Sequence, residues 1–161
     1  MSRFGNEIRV TPSVLDRLID LDPRVSEEPP KSHTASVNEL KQSVRRDLEW
    51  LLNTRCHTET LDDRLEEAPR SVAFYGLPDF TGVSAKNQNE QKRMVREIEE
   101  ALKIFEPRFK NLKVTMDPVN NIDRQLRFRI EAILDIEPTP EPVVFDSVLQ
   151  SGSGSFSVSE G

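Results

Sequence analysis

The most constraining feature of this sequence is a run of alternating residues towards its C-terminal end. Apolar residues occupy every second position from Leu126 to Ile136, and most of the residues between them are charged. Side chains of a β-strand alternate between two faces, so this run predicts a strand with one buried face and one wet face. A shorter alternation through Leu112, Val114 and Met116 predicts an antiparallel partner strand.

Two further segments have the three- and four-residue apolar spacing of amphipathic helices. The first is predicted to begin at the capping-box pattern that joins Ser36 to Glu39, and to end near Asn53. The second is predicted from about Asn89 to Phe105. Their apolar positions are Val37, Leu40, Val44, Leu48 and Leu51 in the first helix, and Met94, Val95, Ile98, Ala101, Leu102 and Phe105 in the second.

The polar residues of the first helix are interpreted as its solvated face. They are Lys41, Arg45, Arg46, Asp47 and Glu49. A second interpretation is open for Arg46 and Arg55, which could clamp carboxylates of the following loop.

These elements predict an α+β domain at residues 36–149, in which two main helices pack on a small mixed or antiparallel sheet of three to four strands. Three prolines at residues 137–142 are expected to interrupt the sheet before a further strand at residues 143–149. Residues 150–161 are predicted to be a flexible tail, with a possible edge strand at residues 156–158.

Residues 1–35 are predicted to be a flexible N-terminal arm. Thr11 can cap a helix of two or three turns and Pro12 suits its first position, and a proline-rich linker follows. The apolar stripe of this helix consists of Val14, Leu15, Leu18 and Ile19. Two interpretations stay open, because the stripe can fold back on its own domain or dock in a groove of another protein.

An apolar loop at residues 71–80 is predicted to be ordered. Ser71 can cap one helical turn, and Gly76 can end that turn in left-handed geometry. The aromatic residues Phe74, Tyr75 and Phe80 are expected to close the edge of the core.

The second helix runs directly into Glu106-Pro107-Arg108. Proline removes a backbone donor and disfavours helical geometry at the residue before it, so the helix is expected to stop near Glu106. An acid and a base on either side of a fixed dihedral, where helix meets strand, predict a structurally fixed ionic site.

Composition excludes several classes of function. The net charge of −6 makes nucleic acid a poor partner, because phosphate would be repelled. The sequence has no apolar run of signal-peptide or membrane-span length, so a soluble cytoplasmic protein without membrane insertion is expected. A single cysteine, Cys56, agrees with a reducing compartment.

Little in the sequence predicts catalysis. Cys56 and His57 are adjacent, a spacing at which two side chains rarely reach one atom, and there is no phosphate-binding glycine loop. No cofactor or metal is expected. Glu106 could act as the general acid of a glycoside hydrolase, but Arg108 two residues away favours its ionised form.

Four stretches together resemble TssE, the family of baseplate subunits of bacterial type VI secretion systems. They are residues 43–55, with Arg46-Asp47-Leu48-Glu49, residues 75–80, with Tyr75-Gly76-Leu77-Pro78, residues 105–108, with Glu106-Pro107-Arg108, and residues 126–132. Residues 12–18 also resemble the family's N-terminal segment. The family is itself similar to the baseplate wedge proteins of contractile-tailed phages, which are labelled lysozyme-like. Phe109 departs from the family, in which leucine is more often expected.

The resemblance implies a structural role at the inner face of the cell envelope. Glu106, Pro107 and Arg108 would join the baseplate to the first ring of the sheath, and a free sheet edge would accept strands from the sheath subunits TssB and TssC. Val14, Leu15 and Leu18 would dock on the wedge components TssF, TssG and TssK. The alternatives are a muramidase-like hydrolase that uses Glu106, and a generic adaptor that acts through its N-terminal helix.

Overall fold

Four antiparallel strands form one sheet in chain order, β1-β2-β3-β4. The computed structural model describes residues 10, 12–19, 23–24, 32–57, 64–80, 87–117, 125–137, 139–150 and 153–161. The helices are α1 (Val14–Leu18), α2 (His33–Asn53) and α3 (Gln88–Phe105), and the strands are β1 (Phe109–Met116), β2 (Leu126–Leu134), β3 (Glu141–Leu149) and β4 (Phe156–Glu160). The predicted α+β class, with two main helices and a small antiparallel sheet, is confirmed.

The core lies between one face of the sheet and the two long helices. In β2 every second residue is buried, as the alternation predicts, with Phe128, Ile130 and Leu134 almost fully covered. The predicted apolar positions of α2 are all buried, and those of α3 are buried or packed against the core. Each large side chain taken out of water in this way contributes about 1.5–3 kcal/mol.

Helix α2 begins three residues before the predicted capping box. The N-cap is Ser32, whose hydroxyl accepts a hydrogen bond of 3.2 Å from the N–H of Ala35. Ser36 lies inside the helix and its hydroxyl donates to the carbonyl of Ser32. The prediction of a start at Ser36 is therefore wrong, because two serines one turn apart offer the same capping chemistry and the more N-terminal one is used.

Helix α1 is shorter than predicted. It has five residues, and its N-cap is Ser13, which accepts from the N–H of Asp16. Pro12 precedes the cap instead of occupying the first helical position. Thr11, the predicted cap, lies outside the described residues.

The apolar loop is pinned to the end of α2. As predicted, Ser71 precedes a helical turn, here the 3₁₀ turn Val72–Phe74, and Gly76 has a positive φ of 118°. The N–H of Leu77 donates to the carbonyl of Thr54 at 2.9 Å. Phe80 is buried and Tyr75 packs against the core, while Phe74 is half-buried.

The sheet extends further at its C-terminal end than predicted. Pro142 lies within β3, opposite Ile133, so the predicted interruption at residues 137–142 is wrong for its last two positions. The N–H of Gly161 donates to the carbonyl of Val144, so Val144 and Pro142 both face the β4 side of β3. Pro142 lies beyond the point at which β4 ends, so its missing N–H costs no ladder bond. The possible edge strand of the tail is confirmed as β4, and its residues Phe156 and Val158 are buried.

No helix within the described residues is both long enough and apolar enough to cross a membrane.

Candidate functional site

The junction between α3 and β1 is built as the sequence predicts. Glu106 caps α3 and its N–H donates to the carbonyl of Leu102, Pro107 is exposed, and β1 begins at Phe109. Only 5% of the Glu106 surface is exposed. The junction therefore turns the glutamate side chain into the protein and leaves the proline on its surface.

Arg108 holds Glu106 from within the same turn. Its Nε donates to Oε1 and its Nη2 to Oε2 of the carboxylate, and its backbone N–H donates to Oε1 at 3.3 Å. The Arg108 side chain is 27% exposed. Two parallel charge-assisted bonds in a half-buried place form a strong and geometrically specific pair. The ionic site predicted at this junction is thus made within the chain.

Asp47 of α2 extends this pair into a longer network. Arg108 Nη2 donates to Asp47 Oδ2 at 2.8 Å, and Arg46 Nη2 donates to Asp47 Oδ1 at 2.9 Å. The interpretation of Arg46 and Asp47 as a solvated face is therefore wrong. One signal was present, because Asp47 lies three residues after the buried Val44, at the border of the apolar face.

The network ends on α1. Arg46 Nη1 donates to Asp16 Oδ1 at 2.7 Å, and the hydroxyl of Ser43 donates to Asp16 Oδ2 at 2.6 Å. The five side chains that alternate in charge are Glu106, Arg108, Asp47, Arg46 and Asp16, and we call them the charge chain. It links α1, α2 and the α3–β1 junction.

Helix α1 makes its polar contacts with the domain through Asp16, which binds Ser43 and Arg46 of α2. Val14 is 73% exposed and Leu18 is 77% exposed, and Leu15 and Ile19 are also exposed. The arm folds back through Asp16, and not through Val14 and Leu18 of the apolar stripe, which stay largely exposed. Docking of the stripe on another protein stays a prediction.

Arg55 and Arg46 differ in their partners. The Nε of Arg55 lies 3.6 Å from Asp79 Oδ1 in the apolar loop, as the clamp interpretation predicts. Arg46 instead binds Asp16 and Asp47, and its Cζ lies 4.9 Å from the ring centroid of Trp50.

Electrostatics favour the charged forms of Asp16 and Arg108. Desolvation raises the pKa of Asp16, but hydrogen bonds from Ser13, Ser43 and Arg46 outweigh it, so the pKa falls from 3.8 to about 2. Desolvation lowers the pKa of Arg108, but the bonds and negative charges of Glu106 and Asp47 raise it above its ordinary value.

The pKa of Asp16 gives a direct test of how α1 is held. We expect the carboxyl ¹³C resonance of Asp16 to titrate near pH 2, and Ser43→Ala or Arg46→Gln to move the midpoint up towards 3.8. Because the folded pKa lies below the unfolded one, this contribution to docking, about 1–2 kcal/mol, is full above roughly pH 4 and is lost as pH falls through about 2. A midpoint near 3.8 in the natural chain would show that Asp16 does not hold α1.

A groove of about 420 Å³ lies beside the charge chain. Trp50, Tyr75 and Phe105 supply its apolar surface, and Pro107 and Arg108 also line it. Trp50 is 51% exposed. A concave surface with exposed aromatic residues and fixed charges suits the docking of another protein's side chains.

Glu106 and Cys56, the two residues weighed for catalysis, have surroundings that disfavour that role. Glu106 accepts hydrogen bonds on both carboxylate oxygens, an arrangement of an ionised carboxylate and not of a proton donor. Burial raises the pKa of the Cys56 thiol, which disfavours a reactive thiolate. Within the described part of the chain, no group of three or more His, Cys, Asp or Glu residues could hold a metal ion.

Comparison with known proteins decides the family. The family model described as "Baseplate wedge protein gp25" matches residues 38–139. The chain belongs to the gp25 family of baseplate wedge proteins. The resemblance to the phage baseplate wedge proteins is thereby confirmed, and with it a structural role in a baseplate. A search of curated proteins found no match to this gp25-family chain.

The matched segment contains most of the charge chain. Asp47, Glu106 and Arg108 lie within residues 38–139, whereas Asp16 and the whole of β4 lie outside them. The gp25 match therefore covers the α3–β1 junction but not the contact that holds α1.

Proposed function

We propose that this gp25-family chain is a TssE-type baseplate subunit of a type VI secretion system, which connects the baseplate to the contractile sheath and initiates sheath polymerisation by strand augmentation. The observation that carries the proposal is the charge chain. A connector needs two docking surfaces held in a fixed relation, and the charge chain ties the α3–β1 junction to the arm that carries the apolar stripe.

The sheath-facing surface in this proposal is formed by Glu106, Pro107 and Arg108 with the adjoining groove. Pro107 and the exposed part of Arg108 are accessible to the sheath, while the buried Glu106 acts by fixing Arg108. Since β1 begins directly after the motif, the same pair also fixes the strand beside which a strand of TssB or TssC would add.

The baseplate-facing surface is the apolar stripe of α1. Val14, Leu15 and Leu18 stand exposed on a helix that is already anchored, so docking costs less ordering than docking of a free arm would. The partners in this proposal are the wedge components TssF, TssG and TssK. The place of assembly is the cytoplasmic face of the cell envelope.

Two sets of variants separate the two surfaces. Glu106→Gln/Arg108→Gln removes both charges and keeps hydrogen-bonding groups, whereas Val14→Ser/Leu15→Ser/Leu18→Ser removes the stripe. We expect the first set to enter baseplates normally but to lower the number of labelled sheaths by roughly tenfold or more. The second set should fail to enter baseplates, yet nucleate sheath from purified TssB and TssC in solution.

The matched control is Lys103→Gln, which breaks the exposed ion pair with Glu99 one turn before the motif. Normal sheath numbers in a folded Glu106→Gln/Arg108→Gln variant would overturn the proposal. Sustained turnover of peptidoglycan by the purified chain, lost in Glu106→Gln, would favour the muramidase-like alternative instead.

A further inference from the structure

We infer that the strand acceptor is the outer edge of β1 from Lys113 to Met116, and that its occupant is an extended segment carrying apolar and acidic side chains. The inference rests on the proposed function and assigns which edge of the sheet performs it. A four-stranded open sheet has two edges, here β1 and β4, and their surroundings differ.

The outer edge of β4 is already occupied by side chains of α2. Asn53 imitates a neighbouring strand, because its Oδ1 accepts from the N–H of Phe156 at 2.8 Å and its Nδ2 donates to the Phe156 carbonyl at 2.9 Å. The Nη1 of Arg45 donates to the carbonyl of Val158 at 3.3 Å. An incoming strand would have to displace these bonds.

The outer edge of β1 presents unoccupied backbone groups. The N–H of Asp117 donates to the carbonyl of Arg127, so the backbone of Asp117 faces β2. Backbone groups of an antiparallel strand alternate in direction, so Thr115 and Lys113 also bond to β2. The N–H and C=O of Val114 and Met116 therefore point outward. Among the described residues, no group bonds to these outward positions. An added strand could pair with them directly.

A bulge limits how much of this edge can be used. The register with β2 shifts between Lys110 and Lys113, and Asn111 has a positive φ of 51°. A bulge interrupts regular pairing on its own strand. The acceptor stretch therefore begins at Lys113. Glu106, Pro107 and Arg108 precede β1 and do not pair with the added strand.

A groove of about 670 Å³ between α3 and β1 gives the occupant its chemistry. Val95, Val114 and Met116 supply apolar surface, and Lys92 and Arg96 supply two cations. None of the described residues that line the groove is a carboxylate. This positive groove stands out on a chain of net charge −6. Complementarity therefore selects a strand whose side chains on the α3 side include an apolar residue and an aspartate or glutamate.

Proline substitution tests the edge assignment. Met116→Pro removes an outward N–H of β1, which makes no bond to β2, so the existing β1–β2 ladder is kept. Glu160→Pro is the matched control at an outward position of β4. With the full chain and purified TssB and TssC, we expect Met116→Pro to slow sheath nucleation by roughly tenfold or more, and Glu160→Pro to stay within about twofold.

A second measurement does not depend on a proline being tolerated. In the natural chain, the amides of Val114 and Met116 should gain hydrogen-exchange protection when TssB and TssC are added, while those of Val158 and Glu160 should not change. Neutralising the groove with Lys92→Gln/Arg96→Gln should weaken this protection more than Arg93→Gln/Lys103→Gln on the same helix does.

Three results would overturn the edge assignment and leave the proposed function standing. They are new protection at β4, a loss of nucleation in Glu160→Pro alone, and full protection of Val114 and Met116 before any partner is added, which would mean that the chain fills its own groove. A natural chain that nucleates no sheath would instead overturn the proposed function, and the edge assignment with it.

Discussion

Arg108→Ala should lower the free energy of unfolding by about 3 kcal/mol, because it leaves a buried carboxylate without its cation. Glu106 is only 5% exposed and receives two side-chain bonds from Arg108. The value lies at the low end for a broken buried pair, since 27% of the Arg108 side chain reaches solvent. Urea denaturation at neutral pH measures the change.

A second substitution separates the lost charge pair from lost packing. Glu106→Gln/Arg108→Ala should recover roughly half or more of the unfolding free energy that Arg108→Ala loses, because the double variant no longer buries an unpaired charge. Lys103→Ala, which breaks only an exposed pair on α3, should cost about 0–1 kcal/mol. If Arg108→Ala and Lys103→Ala cost the same, Glu106 and Arg108 do not fix the junction.

This comparison also bears on the assembly role. A stability loss in Arg108→Ala would reduce sheath assembly without any direct contact between the motif and the sheath. Glu106→Gln/Arg108→Gln is therefore the variant that should report on contact, and Arg108→Ala the one that should report on positioning.

Gly76→Ala should lower the free energy of unfolding by roughly 3 kcal/mol. A Cβ at this position would lie 2.4 Å from the backbone oxygen of Thr54, and the φ of 118° is one that side-chain-bearing residues rarely adopt. The clash is with backbone, so no rotamer change relieves it. The same denaturation experiment measures the effect.

Val72→Ala is the control for Gly76→Ala, because Val72 lies on the same loop and is 90% exposed. It should leave stability unchanged within about 0.5 kcal/mol. Gly76→Ala should also disturb the groove, since the ring of the neighbouring Tyr75 packs edge-on against Phe105 at a centroid distance of 5.2 Å. An unchanged stability in Gly76→Ala would show that the loop is not held closely to α2.

The elements that the sequence predicts well are those whose signal is local. The alternation in β2 and the three- and four-residue spacing in α3 each encode which face is buried, and Pro107 marks the end of the helix. The junction of Glu106 with Arg108 was predictable for the same reason, because only two residues separate the partners.

The remainder of the site depends on contacts between distant residues. Asp47 and Arg108 are 61 positions apart, and a charged residue on a helix gives no local indication of the partner that it will meet. The start of α2 was ambiguous because Ser32 and Ser36 are both competent caps. The place of Pro142 inside β3 depends on where β4 ends, which residues 137–142 do not encode.

The side-chain amide of Asn53 makes the two edges of the sheet different. Side chains of α2 already bond to the outer edge of β4, so in the proposed function an added strand would lie beside β1. In the proposed function, this asymmetry would give the sheath a single starting edge.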